Sequence, residues 1–360
     1  MINVTKAYLP PFEEYTAILK RAWDNAWITN NGELVQELEA KLKNYLQVDN
    51  LLFTSNGTVP LQMALKVFNL TGEVITTPFS YVATTNVILW EGCKPVFVDI
   101  DPQTFCINAT KIEAAITPAT QAILATHVYG IPCDVEAIEI IAKKHGLKVI
   151  YDAAHAFGVK YKGKSLLSYG DISTCSFHAT KLFHTGEGGC IIANDAAVVH
   201  QLMLYRQFGH VGEDYFSEGI NAKNSEFHAA MGLCILPDIE KIITARKILI
   251  LNYLSAFKNT HLLSPVSCID NNTKWNYSYF PVLFENEQLL LAVKKSLEDK
   301  KIFTRRYFYP ALNSLSFLKN AASCPIAENA SARVLALPLY YDLPLDIQDQ
   351  ITELIIKMVI

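Results

Sequence analysis

Residues 134–158 read DVEAIEIIAKKHGLKVIYDAAHAFG, and this stretch decides the fold. Asp134 can accept hydrogen bonds from the first free amides of a helix. Val135, Ile138, Ile141 and Ala142 then fall on one face at helical spacing. Lys143, Lys144 and His145 suit the negative end of the helix dipole. Gly146 can take the left-handed conformation that stops the helix. A strand over 148–151 follows at once and ends on Asp152. Strand, helix and strand joined by such short links imply parallel pairing. Sheets of that kind bind ligands at the carboxyl ends of their strands, and Asp152 stands at one.

The same alternation extends to both sides. Short strands are expected at 51–54, 73–77, 94–100 and 121–126, with a turn at 55–58 and a helix at 59–68. Further strands are expected at 172–177 and 190–193, then two helices at 225–236 and 238–257 separated by Pro237. After about residue 258 the pattern changes: 275–284 is strand-like and 287–301 helical. The expected architecture is α/β. A large domain over 1–257 has a mostly parallel central sheet flanked by helices, and a smaller α+β domain covers 258–360.

Composition narrows the partners. The 360 residues are 51% hydrophobic and 18% charged, with a formal net charge of −4, which describes a globular chain. No basic run or tail is present, so nucleic acid is not an expected partner. The eight cysteines form no C-x-x-C pair, and the histidines show no zinc-ligand spacing. No metal site is expected, and the thiols read as small buried hydrophobes in a reducing compartment. No run of about 18 apolar residues and no signal core occurs, so a soluble, cytoplasmic protein without a membrane partner is expected.

The segment 176–189, SFHATKLFHTGEGG, sets Lys181 between a strand-like run and a glycine turn. A lysine amine forms a Schiff base with an aldehyde, and pyridoxal 5'-phosphate (PLP) supplies one. Such a site also needs a carboxylate for the pyridine nitrogen, a phosphate cradle at a helix N-terminus, and flat or apolar contacts for the ring. Taken singly, each feature has a plain reading. Lys181 could be a surface lysine, Asp152 a helix cap, TSNGT (54–58) a capped turn, and GEGG (186–189) an ordinary glycine turn. In this order, a hydroxyl and glycine turn opening a helix, an Asp at a strand end, then a Lys about thirty residues on, they serve one cofactor.

The motifs TSNGT, TPFSYVATTN (77–86), HVYGIPCDVEAI (127–138), DAAHAFG (152–158), SFHATKLFHTGEGG and GINAKNSEFHAAMG (219–232) together resemble the DegT-like nucleotide-sugar aminotransferases. These are PLP-dependent transferases of fold type I, and the likeness spans about residues 28–340. It implies that Lys181 anchors PLP and then moves a proton between the substrate carbon and the cofactor, and that Asp152 faces the pyridine nitrogen. Ser176, with Asn56, Gly57 and Thr58, would hold the phosphate. Tyr81 and His155 would cover the two ring faces. Asn221 would reach the phosphate from the other subunit of a homodimer with shared active sites.

The family's frequent GFNYRM is GINAKN here, so Lys223 and Asn224 replace an arginine and a methionine near the substrate. Substrate contacts are expected from His178, Lys223, Asn224, Arg305 and Arg306. The two arginines of TRRYFYP (304–310) have forks that suit a pyrophosphate, and they read equally well as surface charges. His184 reads as packing. The resemblance implies L-glutamate as amino donor and C4 of dTDP-4-keto-6-deoxyglucose as acceptor, in deoxyamino-sugar synthesis for O-antigen or another surface glycan. Amination at C3 of a dTDP-3-keto-6-deoxyhexose is the alternative. A non-catalytic PLP- or nucleotide-sugar-binding protein is the alternative from another class.

Overall fold

A computed structural model describes residues 1–318 and 321–360. Seven strands form the central sheet: β1 (Leu52–Thr54), β2 (Glu73–Thr76), β3 (Lys94–Phe97), β4 (Thr120–Thr126), β5 (Lys148–Asp152), β6 (Ile172–Ser176) and β7 (Gly189–Ala193). Their order is β1-β7-β6-β5-β4-β2-β3. β6, β5, β4, β2 and β3 pair in parallel, and β7 runs antiparallel to both of its neighbours. The inner strands are buried on both faces and feed two separate cores by alternation, while the edge strand β3 is partly exposed. Ile123, Ala125, Val149 and Tyr151 join one core, and Ala122, Leu124 and Ile150 the other.

The deciding helix forms over Val135–His145, with the Asp134 side chain accepting from the Ala137 amide at 3.0 Å. Gly146 takes φ 66° and ends it. The helices Glu226–Ile235 and Ile239–Phe257 are joined by a 3-10 turn, Leu236–Asp238, which holds Pro237. Three helices without a side-chain cap also form, Phe12–Asp24, Glu33–Leu46 and Leu345–Val359, as does Ala196–Arg206, which Asp195 caps by accepting from the Ala197 and Val198 amides.

The strand-like text at 275–284 behaves in two ways. Only Phe280–Leu283 enters a sheet, antiparallel to Val334–Leu337. Residues 275–279 instead form a strap over the large sheet's loops. Trp275 Nε1 donates to the Tyr129 carbonyl at 3.0 Å, and Asn276 Nδ2 donates to the His155 and Phe157 carbonyls, both at 2.9 Å. Ser278 Oγ donates to the His155 carbonyl at 3.1 Å. The polar members of this run satisfy loop carbonyls, so the alternation that looks like a strand has another use.

Further ties link the two ends of the chain. The Leu339 amide donates to the Val4 carbonyl at 3.0 Å, and Ile2 bridges Ile302. Asp99, buried after β3, accepts from the Ile326 and Ala327 amides at 3.1 and 2.9 Å, and so caps the helix Pro325–Arg333. Among the described residues no helix is long and apolar enough to cross a membrane, and no cluster of His, Cys, Asp or Glu could hold a metal ion. Seven cysteines are buried and Cys268 is exposed.

Candidate active site

β4, β5 and β6 end on Thr126, Asp152 and Ser176, and the chain beyond each turns around a cleft of about 260 Å³. Lys181 enters this cleft from the loop after β6. Its Nζ lies 3.3 Å from Tyr279 Oη, on the strap, and 5.8 Å from that ring's centre.

Asp152 is the cleft's buried carboxylate. Its Oδ2 accepts from Thr84 Oγ1 at 2.7 Å and its Oδ1 from the Ala154 amide at 3.1 Å. Burial raises its pKa above the ordinary value, while the Thr84 and Ala154 hydrogen bonds and the charge of Lys181 pull the other way. A cationic ring nitrogen is the kind of partner that such a carboxylate lacks within the protein.

His155 and Tyr81 both line the cleft. His155 is buried, and its Nδ1 accepts from the Tyr129 amide at 3.1 Å, so the proton of the neutral ring sits on Nε2. Burial holds its pKa well below the usual histidine value. Tyr279 lies 4.5 Å from the imidazole, and the Phe308 ring is nearly parallel to it at 5.7 Å. Tyr81 lines the mouth and is exposed.

At the other end, Gly57 packs directly on Ser176. A Cβ on Gly57 would lie 2.7 Å from Ser176 Cβ and 3.0 Å from its Oγ, so only glycine fits this cradle. Asn56 lines the cleft too, but its Oδ1 already accepts from the Thr58 and Val59 amides at 2.8 and 2.9 Å. It shapes the turn that opens the helix Val59–Val67. The Ser176 and Thr58 hydroxyls and the Gly57 amide remain to meet a phosphate. A buried carboxylate facing an amine, with a glycine cradle at a helix start, fits PLP.

The expected substrate contacts divide. His178 and Arg305 line the cleft. His178 Nδ1 is 2.8 Å from Thr180 Oγ1, and the Arg305 guanidinium lies 4.9 Å from the Tyr307 ring centre. Arg306 and Asn224 lie outside the lining of the cleft and bond to the protein itself. Arg306 donates to Glu287 at 2.7 Å and to the Ala332 carbonyl at 2.9 Å, and it stacks on Tyr309. Asn224 is buried, donates to the Thr54 and Glu187 carbonyls at 3.1 and 3.0 Å, and accepts from the Ser225 amide at 2.8 Å. Asn224 thus has both ends of its amide engaged, whereas Arg306 bonds through Nη2 and its buried Nε meets no acceptor among the described residues. Lys223 and Asn221 lie outside the cleft of their own chain. The Lys223 amine sits 5.0 Å from the Phe208 ring centre, and Asn221 is exposed beside Ala222, whose carbonyl accepts from the Ser55 amide at 2.9 Å. His184 is buried, with Nε2 2.8 Å from the Tyr8 carbonyl, which is the packing role expected of it.

Sequence reasoning missed Thr84, Ser80, Tyr279, Tyr307 and Phe308. Thr84 and Ser80 stand within TPFSYVATTN, one on each side of Tyr81, and the start of the helix Val82–Trp90 after that tyrosine is the signal that could have found them. The aromatic residues come from the strap and from beyond residue 300, and no local pattern marks them.

The chain belongs to the DegT/DnrJ/EryC1/StrS aminotransferase family, whose model matches residues 12–356. It is 42% identical over 361 residues to the dTDP-4-amino-4,6-dideoxy-D-glucose transaminase of Shigella dysenteriae, covering 98% of each chain. The Escherichia coli protein of the same name is 41% identical, with 99% of this chain and 98% of that protein covered. Among solved structures, DesI in the presence of its TDP-sugar product superimposes with a TM-score of 0.93 at 30% identity, covering 99% of this chain and 93% of that one.

Proposed function

We propose that the protein transfers the amino group of L-glutamate to C4 of dTDP-4-keto-6-deoxyglucose, with PLP as cofactor, for the synthesis of a surface glycan. The observation that carries the chemistry is that Lys181 and the buried, only partly compensated Asp152 line one strand-end cleft. Identity of 41–42% over nearly the whole chain to two proteins named for the 4-amino-4,6-dideoxy sugar supports the acceptor and the carbon.

The residues divide the work. The Lys181 amine would hold the cofactor through its aldehyde and, when free, is the base in the cleft placed to accept the donor's α-proton and to give a proton back. PLP, when bound, supplies the electron sink that makes that proton acidic. Asp152, ionised, would accept from the protonated ring nitrogen. Ser176, Gly57 and Thr58 would bind the phosphate, and His155 and Tyr81 would confine the ring. The His155–Tyr279–Phe308 wall excludes water from one face. Asn221 and Lys223 serve the neighbouring subunit's cleft in a homodimer, since both lie outside their own.

The test is one incubation of the purified protein with PLP, L-glutamate and dTDP-4-keto-6-deoxyglucose, read by mass and NMR. An amine at C4 is the expected result. Conversion of glutamate without an aminated product overturns the acceptor and makes the 3-keto sugar the next substrate to try. No conversion of glutamate overturns the aminotransfer reading.

A further inference from the structure

Behind Asp152 stand three hydroxyls in line. Thr126 Oγ1 is 3.1 Å from Ser80 Oγ, Ser80 Oγ is 2.7 Å from Thr84 Oγ1, and Thr84 Oγ1 is 2.7 Å from Asp152 Oδ2. All four side chains are more than nine-tenths buried, at 3%, 2%, 0% and 6% exposure. They come from the end of β4, from the turn after β2, from the helix Val82–Trp90 and from the end of β5. Thr126 and Asp152 are partners in the sheet register.

Each hydroxyl has one proton, and that fixes the direction of the whole line. An ionised Asp152 cannot donate, so Thr84 must donate to it. Ser80 must then donate to Thr84, and Thr126 to Ser80. A protonated Asp152 could donate to Thr84 only if every hydroxyl turned around, leaving the last proton, on Thr126, in need of a new acceptor. The Ala154 amide on Oδ1 also favours the ionised form. The titratable groups around Asp152 do little to replace this. Lys181 is the cation that faces it, His155 stays neutral, burial lowers His127 beside Tyr151 to about 3, and burial raises Cys175 on β6 to about 12.

We propose that the Thr126–Ser80–Thr84 line is a positioning device that keeps Asp152 ionised and oriented in a site too dry to do so by solvation. Thr84 is its working end, and Ser80 and Thr126 hold Thr84's proton toward the carboxylate. The proposal rests on the PLP reading for its purpose, but it concerns this chain's own residues and can be tested without the cofactor.

The experiment labels aspartate carboxyl carbons with 13C in the full-length chain free of PLP. The Asp152 signal is identified by its loss in Asp152→Asn, and its titration is followed by NMR. Thr84→Val removes a hydrogen bond to a charged group, so the midpoint is expected to rise by about one to two pH units. Ser80→Ala is expected to raise it less, and Thr84→Ser to leave it near the wild-type value. A Thr84→Val titration that overlays the wild type overturns the proposal. Should Thr84→Val fail to fold, Ser80→Ala decides by the same sign, and an unmoved midpoint overturns the proposal. Loading with PLP labelled with 15N in its ring then reads the second half. The ring nitrogen is expected to shift toward the neutral pyridine position in Thr84→Val and to stay put in Thr84→Ser. A wild-type chain that takes up no PLP while the carboxyl titrations move as expected overturns the cofactor reading and leaves the hydroxyl line standing.

Discussion

The central sheet opens on a cavity at each end, and the two could hardly differ more in chemistry. The cavity at the amino ends of β5 and β6 has about 500 Å³, against about 260 Å³ at the carboxyl ends. Most charges lining the larger one neutralise each other at the surface: Lys148 meets Asp171 at 3.2 Å and Lys143 pairs with Glu139, while Lys164 lies over the Tyr169 ring. Among the described residues, the smaller one holds a lysine whose amine bonds to a phenol, and a buried carboxylate that accepts from one hydroxyl and one amide. Volume therefore does not mark the site. Polar groups that converge without neutralising each other do, because they are left to act on something else.

The largest expected difference between the two ends is in turnover. Lys181→Ala should lower the rate of glutamate conversion by at least about 10³-fold, since the proton carrier and the cofactor anchor are lost together. Lys148→Ala should leave the rate unchanged. A comparable loss in both variants would erase the distinction.

Two glycines sharpen it next. Gly57→Ala places a Cβ 2.7 Å from Ser176 Cβ, and backbone on both sides resists the shift. Overpacking of this kind costs about 1–3 kcal/mol, so PLP affinity should fall by roughly 10-fold or more in a fluorescence titration. Gly146→Ala meets nothing within 4 Å, but it needs φ 66°. It should cost about 1–2 kcal/mol of stability in a denaturant melt and leave PLP affinity alone.

How much of this was legible in the sequence follows the range of the forces involved. The helix at 134–145 with its cap, its glycine stop and the strand behind it is written in neighbouring residues, and it forms as read. Lys181, Asp152, Ser176 and Gly57 were also legible, because each sits at a strand end or turn whose shape is local. What Asn224 and Arg306 bond to was illegible for the opposite reason. Their partners are carbonyls at Thr54, Glu187 and Ala332, which only the folded chain brings within reach. The strap at 275–279 hid in the same way. Its alternation looks like a strand until Trp275, Asn276 and Ser278 are seen to answer loop carbonyls more than 100 residues away.

A smaller effect separates function from stability at the site itself. Burial holds the folded-state pKa of Asp152 above its unfolded value. The stability tied to this group is thus fully present below the unfolded pKa, about 3.9, and is lost as pH rises through the folded value. At neutral pH the chain without PLP carries that loss. Asp152→Asn should therefore melt higher than the wild type at pH 7 in the absence of PLP, by calorimetry, and the gap should close as the pH falls toward 4. The same variant should not convert glutamate. If Asp152→Asn instead melts lower at pH 7, the carboxylate stabilises the empty site.

The smallest expected effect lies at the far end of the sheet. Lys148 and Asp171 are partly exposed, at 46% and 34%, so their attraction is screened by water. Asp171 also accepts from the Val149 amide at 2.8 Å, which does not depend on the lysine. Lys148→Met keeps an apolar stem and removes the ammonium, together with its contact 4.8 Å from the Phe68 ring centre. The cost should stay below about 1 kcal/mol and shrink further in high salt. A larger loss in a urea melt, insensitive to salt, would mean that this end of the sheet also depends on a buried electrostatic contact, and the contrast between the two cavities would have to rest on the chemistry of Lys181 and Asp152 alone.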